Sequence, residues 1–283
     1  MVVLTSAAVD GFRLAYDRAG DGPAVVLLHG WPGDRSDYRL LAPMLVEAGR
    51  QVAVPDLRGF GDSDKHVGDG QYDAVAQGRS VLGLIDELGL ERPVLVGYDV
   101  GSRIAQAIAK TRPDAVGGLV IAPPLPGIGT RVFGERAQAE FWYQPFHKLP
   151  VVEELIDGKA DAVRDYLRHF WTHWSGPGFE PELDALVEKY SVPGAFTASI
   201  NWYRAGAGAV AASVAEVAPE PARRIGVRTS VVWPEFDPLF PREWSDRLDE
   251  FFSDVTLRFV DGVGHFAPLE YPEVLAEEVL RLG

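Results

Sequence analysis

Cysteine is absent from all 283 residues, which excludes a disulfide framework and any thiolate-bound zinc or iron–sulfur centre. Basic residues are outnumbered: 27 Lys and Arg face 41 Asp and Glu, leaving a net charge of −14. A surface this acidic repels a phosphate backbone, so nucleic acid is not an expected partner. No apolar run reaches the roughly 18 residues a membrane-spanning helix needs, and no membrane insertion is expected. The opening MVVLTSAAVDGFRL lacks a basic leader and meets Asp10 early, unlike a secretory signal. The expectation is a soluble, cytoplasmic protein. There is no internal repeat and no low-complexity tract. His169 and His173 have an i, i+4 spacing that suits a metal, but no H-E-x-x-H and no third ligand accompany them. They read as structural, and no metal or other cofactor is called for.

What is present is enough apolar residue, 47%, for a full core in one or two domains. Short β-rich runs at 24–29, 52–56, 93–99 and 117–124 alternate with helical patterns at 36–49 and 77–90. That alternation predicts an α/β fold, a mostly parallel sheet with helices on both faces. Near Pro123 the pattern changes. From about 125 to 222 the chain is helical in period, rich in aromatics and without a convincing strand. Strand character returns at 228–234 and 255–261, and a last helix closes the chain. The reading is a core over 1–124 and 223–283, interrupted by an all-helical cap over 125–222. Such an insertion is expected to cover the carboxyl edge of the sheet, where ligands bind in open α/β folds.

Three loops that follow strands each carry a titratable group: Asp99 in G-Y-D-V-G, Asp237 in VVWPEFDPLF, and His265 in VDGVGHFAPLEYP. Alone, each has an ordinary explanation as a helix cap, a turn residue or a loop histidine. Together they follow the chain order of nucleophile, orienting acid and base in α/β hydrolases. Gly97 and Gly101 suit the tight strand-to-helix turn that such a nucleophile requires. A fourth loop, His29-Gly30-Trp31-Pro32, stands where the fold supplies an oxyanion donor. The donors would be the backbone N–H groups of Trp31 and Val100, and a cis Trp31–Pro32 bond is one way to aim the loop. The Gly- and Asp-rich DLRGFGDSD at 56–64 reads as structural.

These motifs, with FWYQ at 141–144 and NWYR at 201–204, resemble the epoxide hydrolases of the α/β-hydrolase fold over nearly the whole chain. The resemblance implies Asp99 as nucleophile, His265 as general base, Asp237 as its orienting acid, and Tyr143 and Tyr203 as ring-opening acids. It implies a pocket lined by Trp31, Pro32, Trp142, Phe146 and Trp202, for a small apolar epoxide with water as co-substrate. A homodimer is left open. The sequence departs from the family pattern at Tyr98, often His, and at Val100, often Trp.

The carboxylate suits this chemistry. Its attack on an alkyl carbon gives an ester, which water can cleave, whereas a serine would leave an ether. An epoxide leaves as an alkoxide and needs a proton, which a phenol can give. A halide needs none. Haloalkane or haloacid dehalogenation by the same Asp99 is the alternative, and Val100 cannot supply the indole that dehalogenases of this fold typically place there. A hydrolase-like ligand-binding protein without turnover is the alternative of another class, although no catalytic position is replaced.

Overall fold

A computed structural model describes residues 4–66 and 71–283. Eight strands form one sheet: β1 (Leu4–Thr5), β2 (Ala15–Ala19), β3 (Ala24–Leu28), β4 (Gln51–Pro55), β5 (Val94–Gly97), β6 (Gly118–Ile121), β7 (Thr229–Pro234) and β8 (Val255–Val260). Their order is β1-β2-β4-β3-β5-β6-β7-β8. Strands β1, β2 and β4 pair antiparallel, and every pair from β4–β3 to β7–β8 is parallel. The sequence reading misses β1 and β2. The first is two residues long, and the second, AYDRA, is polar at its exposed end, so neither carries a continuous apolar run. The central strands β3, β5 and β6 are buried at every position, as strands covered on both faces must be.

Core helices α1 (Leu41–Glu47), α2 (Ala74–Glu87) and α3 (Val100–Thr111) flank the sheet, joined at the end of the chain by α11 (Ala267–Glu270) and α12 (Pro272–Leu282). Asp73 starts α2 by accepting from the Val75 and Ala76 amides at 2.9 and 2.8 Å. Between β6 and β7 the chain leaves the sheet as α4 (Glu135–Glu140), α5 (Tyr143–Phe146), α6 (Val151–Ile156), α7 (Ala160–Trp174), α8 (Asp184–Tyr190), α9 (Ala195–Arg204) and α10 (Ala209–Val214). No strand interrupts them among the described residues.

This cap is fastened to the core at the loops that carry Trp31 and His265. Trp171 donates its indole N–H to the Pro32 carbonyl at 2.8 Å, and its ring lies flat on Phe266, 3.7 Å between centroids. Tyr190 donates to the Gly33 carbonyl at 3.0 Å. Lys189 pairs with the closed-off Asp34 carboxylate at 2.8 Å. Burial works against the Asp34 charge, but Lys189 and the Ser36 amide and hydroxyl outweigh it and hold that carboxyl below its ordinary range. The depressed value means that the pair stabilises the fold above the unfolded carboxyl range and loses its effect as pH falls through the folded value. Lys189→Met is expected to lower stability near neutral pH by about 1–3 kcal/mol, because Asp34 stays buried and charged without its partner. Urea unfolding across pH checks this. The deficit should shrink as Asp34 is protonated; a deficit independent of pH would assign it to lost packing of the lysine stem.

Candidate active site

The strand β5 leads straight into α3, and Asp99 makes the turn with φ +46° and ψ −119°, a left-handed backbone that L-residues rarely adopt. The two flanking glycines are required by space. A Cβ on Gly97 would meet the Gly101 backbone at 2.6 Å, and one on Gly101 would collide with the Leu28 carbonyl of β3. The turn is further pinned by the Asp99 amide, which donates to the Pro123 carbonyl at 2.9 Å. The geometry thrusts the Asp99 side chain beyond the edge of the sheet.

There its Oδ2 accepts from the Trp31 amide at 2.8 Å, and the Val100 amide also favours its charged form. Both expected oxyanion donors therefore face the Asp99 carboxylate. The Trp31–Pro32 peptide is cis. Asp99 lies deep in the molecule yet keeps a water-accessible face, while Asp237 and His265 are closed off. Burial pushes the Asp99 carboxyl above its ordinary range; His265 and the Trp31 amide pull the other way.

His265 Nδ1 lies 2.8 Å from Asp237 Oδ2, and the other Asp237 oxygen accepts from the Leu239 amide at 2.9 Å. With the Nδ1 proton directed to Asp237, the free lone pair is on Nε2, which is buried and has no hydrogen-bond partner among the described residues. Burial opposes a charged imidazole here, but Asp237, then Asp99 and Glu270, outweigh it and raise the His265 pKa.

Tyr143 at the start of α5 and Tyr203 near the end of α9 are brought together from opposite ends of the cap. Their rings meet edge to face, 5.5 Å between centroids, and the Tyr143 hydroxyl accepts from the Gln144 side-chain amide at 3.3 Å. Trp31 lies parallel to Tyr143 at 5.5 Å and edge-on to Tyr203 at 5.7 Å, while its indole N–H reaches Ser199 Oγ on α9 at 3.3 Å. Burial first, and the Asp99 charge with it, keep both phenols well above their ordinary pKa. Both are thus held protonated.

The remaining expected pocket residues divide. Pro32 accepts from the cap through its carbonyl, and Trp202 is buried. Trp142 is a correction: it is 41% exposed and packs its ring on the outer side of Phe170. Adjacent residues point about 100° apart around a helix, so with Tyr143 turned inward its neighbour turns out. Phe146 is a second correction. Its ring packs against Trp142, Tyr166 and His147, and it makes no ring contact with Trp31, Tyr143 or Tyr203 among the described residues. His169 and His173 stack on the cap surface, and His173 pairs with Glu140 at 2.7 Å. Among the described residues no cluster could hold a metal ion.

Several functional supports escaped the sequence reading. Glu270 accepts from the Gly264, Gly176 and Phe266 amides at 2.7, 2.7 and 2.9 Å, gripping the His265 loop and the end of the cap together. Tyr98 donates to the buried Asp37 carboxylate at 2.6 Å and sets its ring edge against His265. His29 Nε2 accepts from the Leu57 amide at 3.0 Å, which requires a neutral ring with its proton on Nδ1, directed at the Gly30 carbonyl. Asp56 receives the Arg35 guanidinium and the Arg35 and Asp62 amides, so the DLRGFGDSD loop is held as a brace for the Trp31 loop. An acid a few residues past a histidine is too common a pattern to mark Glu270, and contacts spanning 61 residues leave no local sign for Asp37.

Comparison with known proteins gives a match over residues 23–272 to the family described as alpha/beta hydrolase fold. The soluble epoxide hydrolase of Corynebacterium sp. (strain C12) is 28% identical over 290 residues, covering 97% of this chain and 95% of that one. A fluoroacetate dehalogenase of Burkholderia sp is 33% identical over 197 residues, covering 66% of this chain and 64% of its own length. Among solved structures, a ligand-free epoxide hydrolase superposes with a TM-score of 0.85 at 26% identity, covering 99% of this chain and 98% of that one.

The His265 environment carries its own test. In ring-proton NMR His265 should titrate above an ordinary histidine, and Asp237→Asn should move it down, since the largest influence raising it is removed. A titration unchanged in the variant would separate Asp237 from the imidazole.

Proposed function

The chain belongs to the α/β-hydrolase fold family, and from that premise we propose that it is an epoxide hydrolase, converting an apolar epoxide and water to a vicinal diol through an ester on Asp99. The observation that carries this reading is the pair of buried phenols in edge-to-face contact, Tyr143 and Tyr203, held protonated within electrostatic reach of the Asp99 carboxylate. An epoxide oxygen bound by both hydroxyls would have its ring carbon directed at Asp99. The similarity to epoxide hydrolases over nearly the full chain supports the same reading.

The chemistry then runs in two halves. Asp99 attacks a ring carbon, the carbon–oxygen bond breaks, and the oxygen takes a proton from a phenol. Negative charge leaves Asp99 as it appears on the epoxide oxygen. The influence that had raised the phenol pKa therefore fades at the moment when the proton is needed. Because Oδ2 is already bound to the Trp31 amide, Oδ1 is the free oxygen and the attacking one. The ester carbonyl then lies in its oxyanion site without rearrangement, which preorganises the second half. His265 takes a proton from water through Nε2, the hydroxide adds to the ester carbonyl, and the tetrahedral anion rests on the Trp31 and Val100 amides. Collapse expels the second diol oxygen as an alkoxide that takes its proton from the His265 imidazolium, and the acid formed on Asp99 returns its proton to the phenolate, which restores the Asp99 carboxylate and both phenols. Asp237 stabilises the imidazolium in between. The aromatic walls, Trp31, Tyr143, Phe170 and Trp174, favour an apolar substrate body.

The similarity to a fluoroacetate dehalogenase gives a second reading, halide displacement by the same carboxylate. It makes no use of two proton donors, which is why it ranks second. Fluoride release from fluoroacetate, with no diol from any epoxide in a panel of terminal, styrene-like and trans-disubstituted substrates, would establish it instead.

Two experiments test the first reading. Tyr143→Phe and Tyr203→Phe should each slow ester formation about 10- to 100-fold in rapid-mixing measurements, and the double variant by more than about a thousandfold. Undiminished rates in the double variant would remove the phenols from the reaction. In a single turnover with enzyme in excess in oxygen-18 water, the diol should be unlabelled and the label should appear in the peptide carrying Asp99. Label in the first-turnover diol and none in the peptide would mean direct attack by water.

A further inference from the structure

Outside the site, the side chain that the mechanism leaves unexplained is Arg103. It stands one turn into α3, and its Nε and Nη2 are buried without a hydrogen-bond acceptor among the described residues. A guanidinium carries five donors that cannot be discharged by losing a proton under ordinary conditions, so such a group calls for an acceptor. Two turns further along the same face of α3 comes Lys110, which also forms no ion pair among the described residues. Both line a groove of about 430 Å³ between α3, the start of α2 and the last part of the cap, where Ala207 and Ala212 form the opposite wall.

Among the described residues no side chain of the groove forms a hydrogen bond or ion pair with either cation. The Gln106 amide donates to the Pro124 carbonyl at 3.0 Å, and the Thr111 hydroxyl to the Ala107 carbonyl at 2.8 Å. Asp73 is the one acid on the rim; its Oδ1 is engaged by the α2 amides, and neither of its oxygens pairs with Arg103 or Lys110. Glu216 is felt by both cations, but its Oε2 accepts from the Gly127 amide at 2.8 Å rather than from either of them. Burial, against Glu216 and Asp99, pushes Arg103 down to about 10, still charged near neutral pH. Burial and Arg103 together lower Lys110.

We infer that this groove at the seam of core and cap is a binding site for an organic oxyanion, a carboxylate or a phosphate, separate from the Asp99 site. The planar guanidinium fork of Arg103 receives two oxygens side by side, Lys110 adds a point charge at the open end, and the alanine walls take a small apolar body. Arg103 and Lys110 stand in a chain of net charge −14, with Asp73 on the rim and Glu216 nearby, so binding depends on direct contact with these two side chains rather than on the field around them. An anion held there touches core and cap together and braces the seam beside the helix that carries Tyr203. The inference does not rest on the epoxide reading.

Titration calorimetry and thermal unfolding with inorganic phosphate and with benzoate, against chloride at equal ionic strength, test it. The intact chain should bind one equivalent saturably and unfold at higher temperature when loaded. Benzoate held more tightly than phosphate would assign the apolar wall a share; the reverse order would favour a phosphate ligand. Arg103→Met should weaken binding roughly tenfold or more while leaving the unloaded protein at least as stable, since it removes a buried charge without a partner. Lys110→Gln, at the open end, should weaken it by a smaller factor of about three and serves if the arginine variant fails to fold. Asp99→Asn should bind as the parent does. No saturable binding to either probe, binding that survives both cation substitutions, or binding lost with Asp99→Asn would each overturn the proposal.

Discussion

A carboxylate kept deep in the protein, on a backbone that L-residues avoid, is the constraint to which the other parts answer. Asp99 has to stay ionised to act as a nucleophile, and burial opposes that. The opposition is met by backbone amides, above all that of Trp31, and by the imidazole of His265. Each of these needs its own support. The Trp31 loop is held from below by His29 and Asp56 and from above by Trp171 and Tyr190 of the cap. The imidazole is held by Asp237 and by the Glu270 clasp. Hydrogen bonds to amides favour the charge without fixing a second ion beside it, so the carboxylate keeps a water-accessible face.

The sheet was legible because its central strands are apolar throughout and bounded by loop residues, a signal that survives without any neighbour in view. The residues of the proposed reacting group were legible for a related reason. The fold puts chemistry at the ends of strands, so Asp99, Asp237 and His265 announce themselves by position. The antiparallel edge β1–β2 was not legible, since a short or partly exposed strand has little pattern to show. Nor were Asp37 and Glu270, whose meaning lies in contacts across the fold. The pocket was legible only as composition. A helix shows one face, and the sequence names aromatics without saying which way each turns, so nothing local told the exposed Trp142 from the buried Tyr143, Trp31 and Tyr203.

The departures from the family pattern fall on either side of Asp99 and have opposite consequences. Tyr98 takes up a buried hydrogen bond with Asp37 and seats its ring against His265, so it ties the imidazole proposed as base to a buried acid of the core. Val100 contributes only its amide, and its apolar side chain is buried. The polar demands of the site thus fall on main-chain groups and on the cap, which supplies both phenols.

The Glu270 clasp has a consequence for how this protein could be rebuilt. One carboxylate joins Gly176, at the end of the cap, to Gly264 and Phe266 on either side of the base, across 94 residues of chain. Cap and core are therefore not interchangeable modules. A cap whose junction lacked an amide at this height would take one of the two donors from Glu270 Oε2, leaving only the donors of the imidazole loop and no tie from that loop to the cap. Substrate range in this lineage is then expected to drift by exchange of single cap side chains rather than by recombination of whole caps, with the junction around Ser175 and Gly176 inherited as one piece with the last loop of the core.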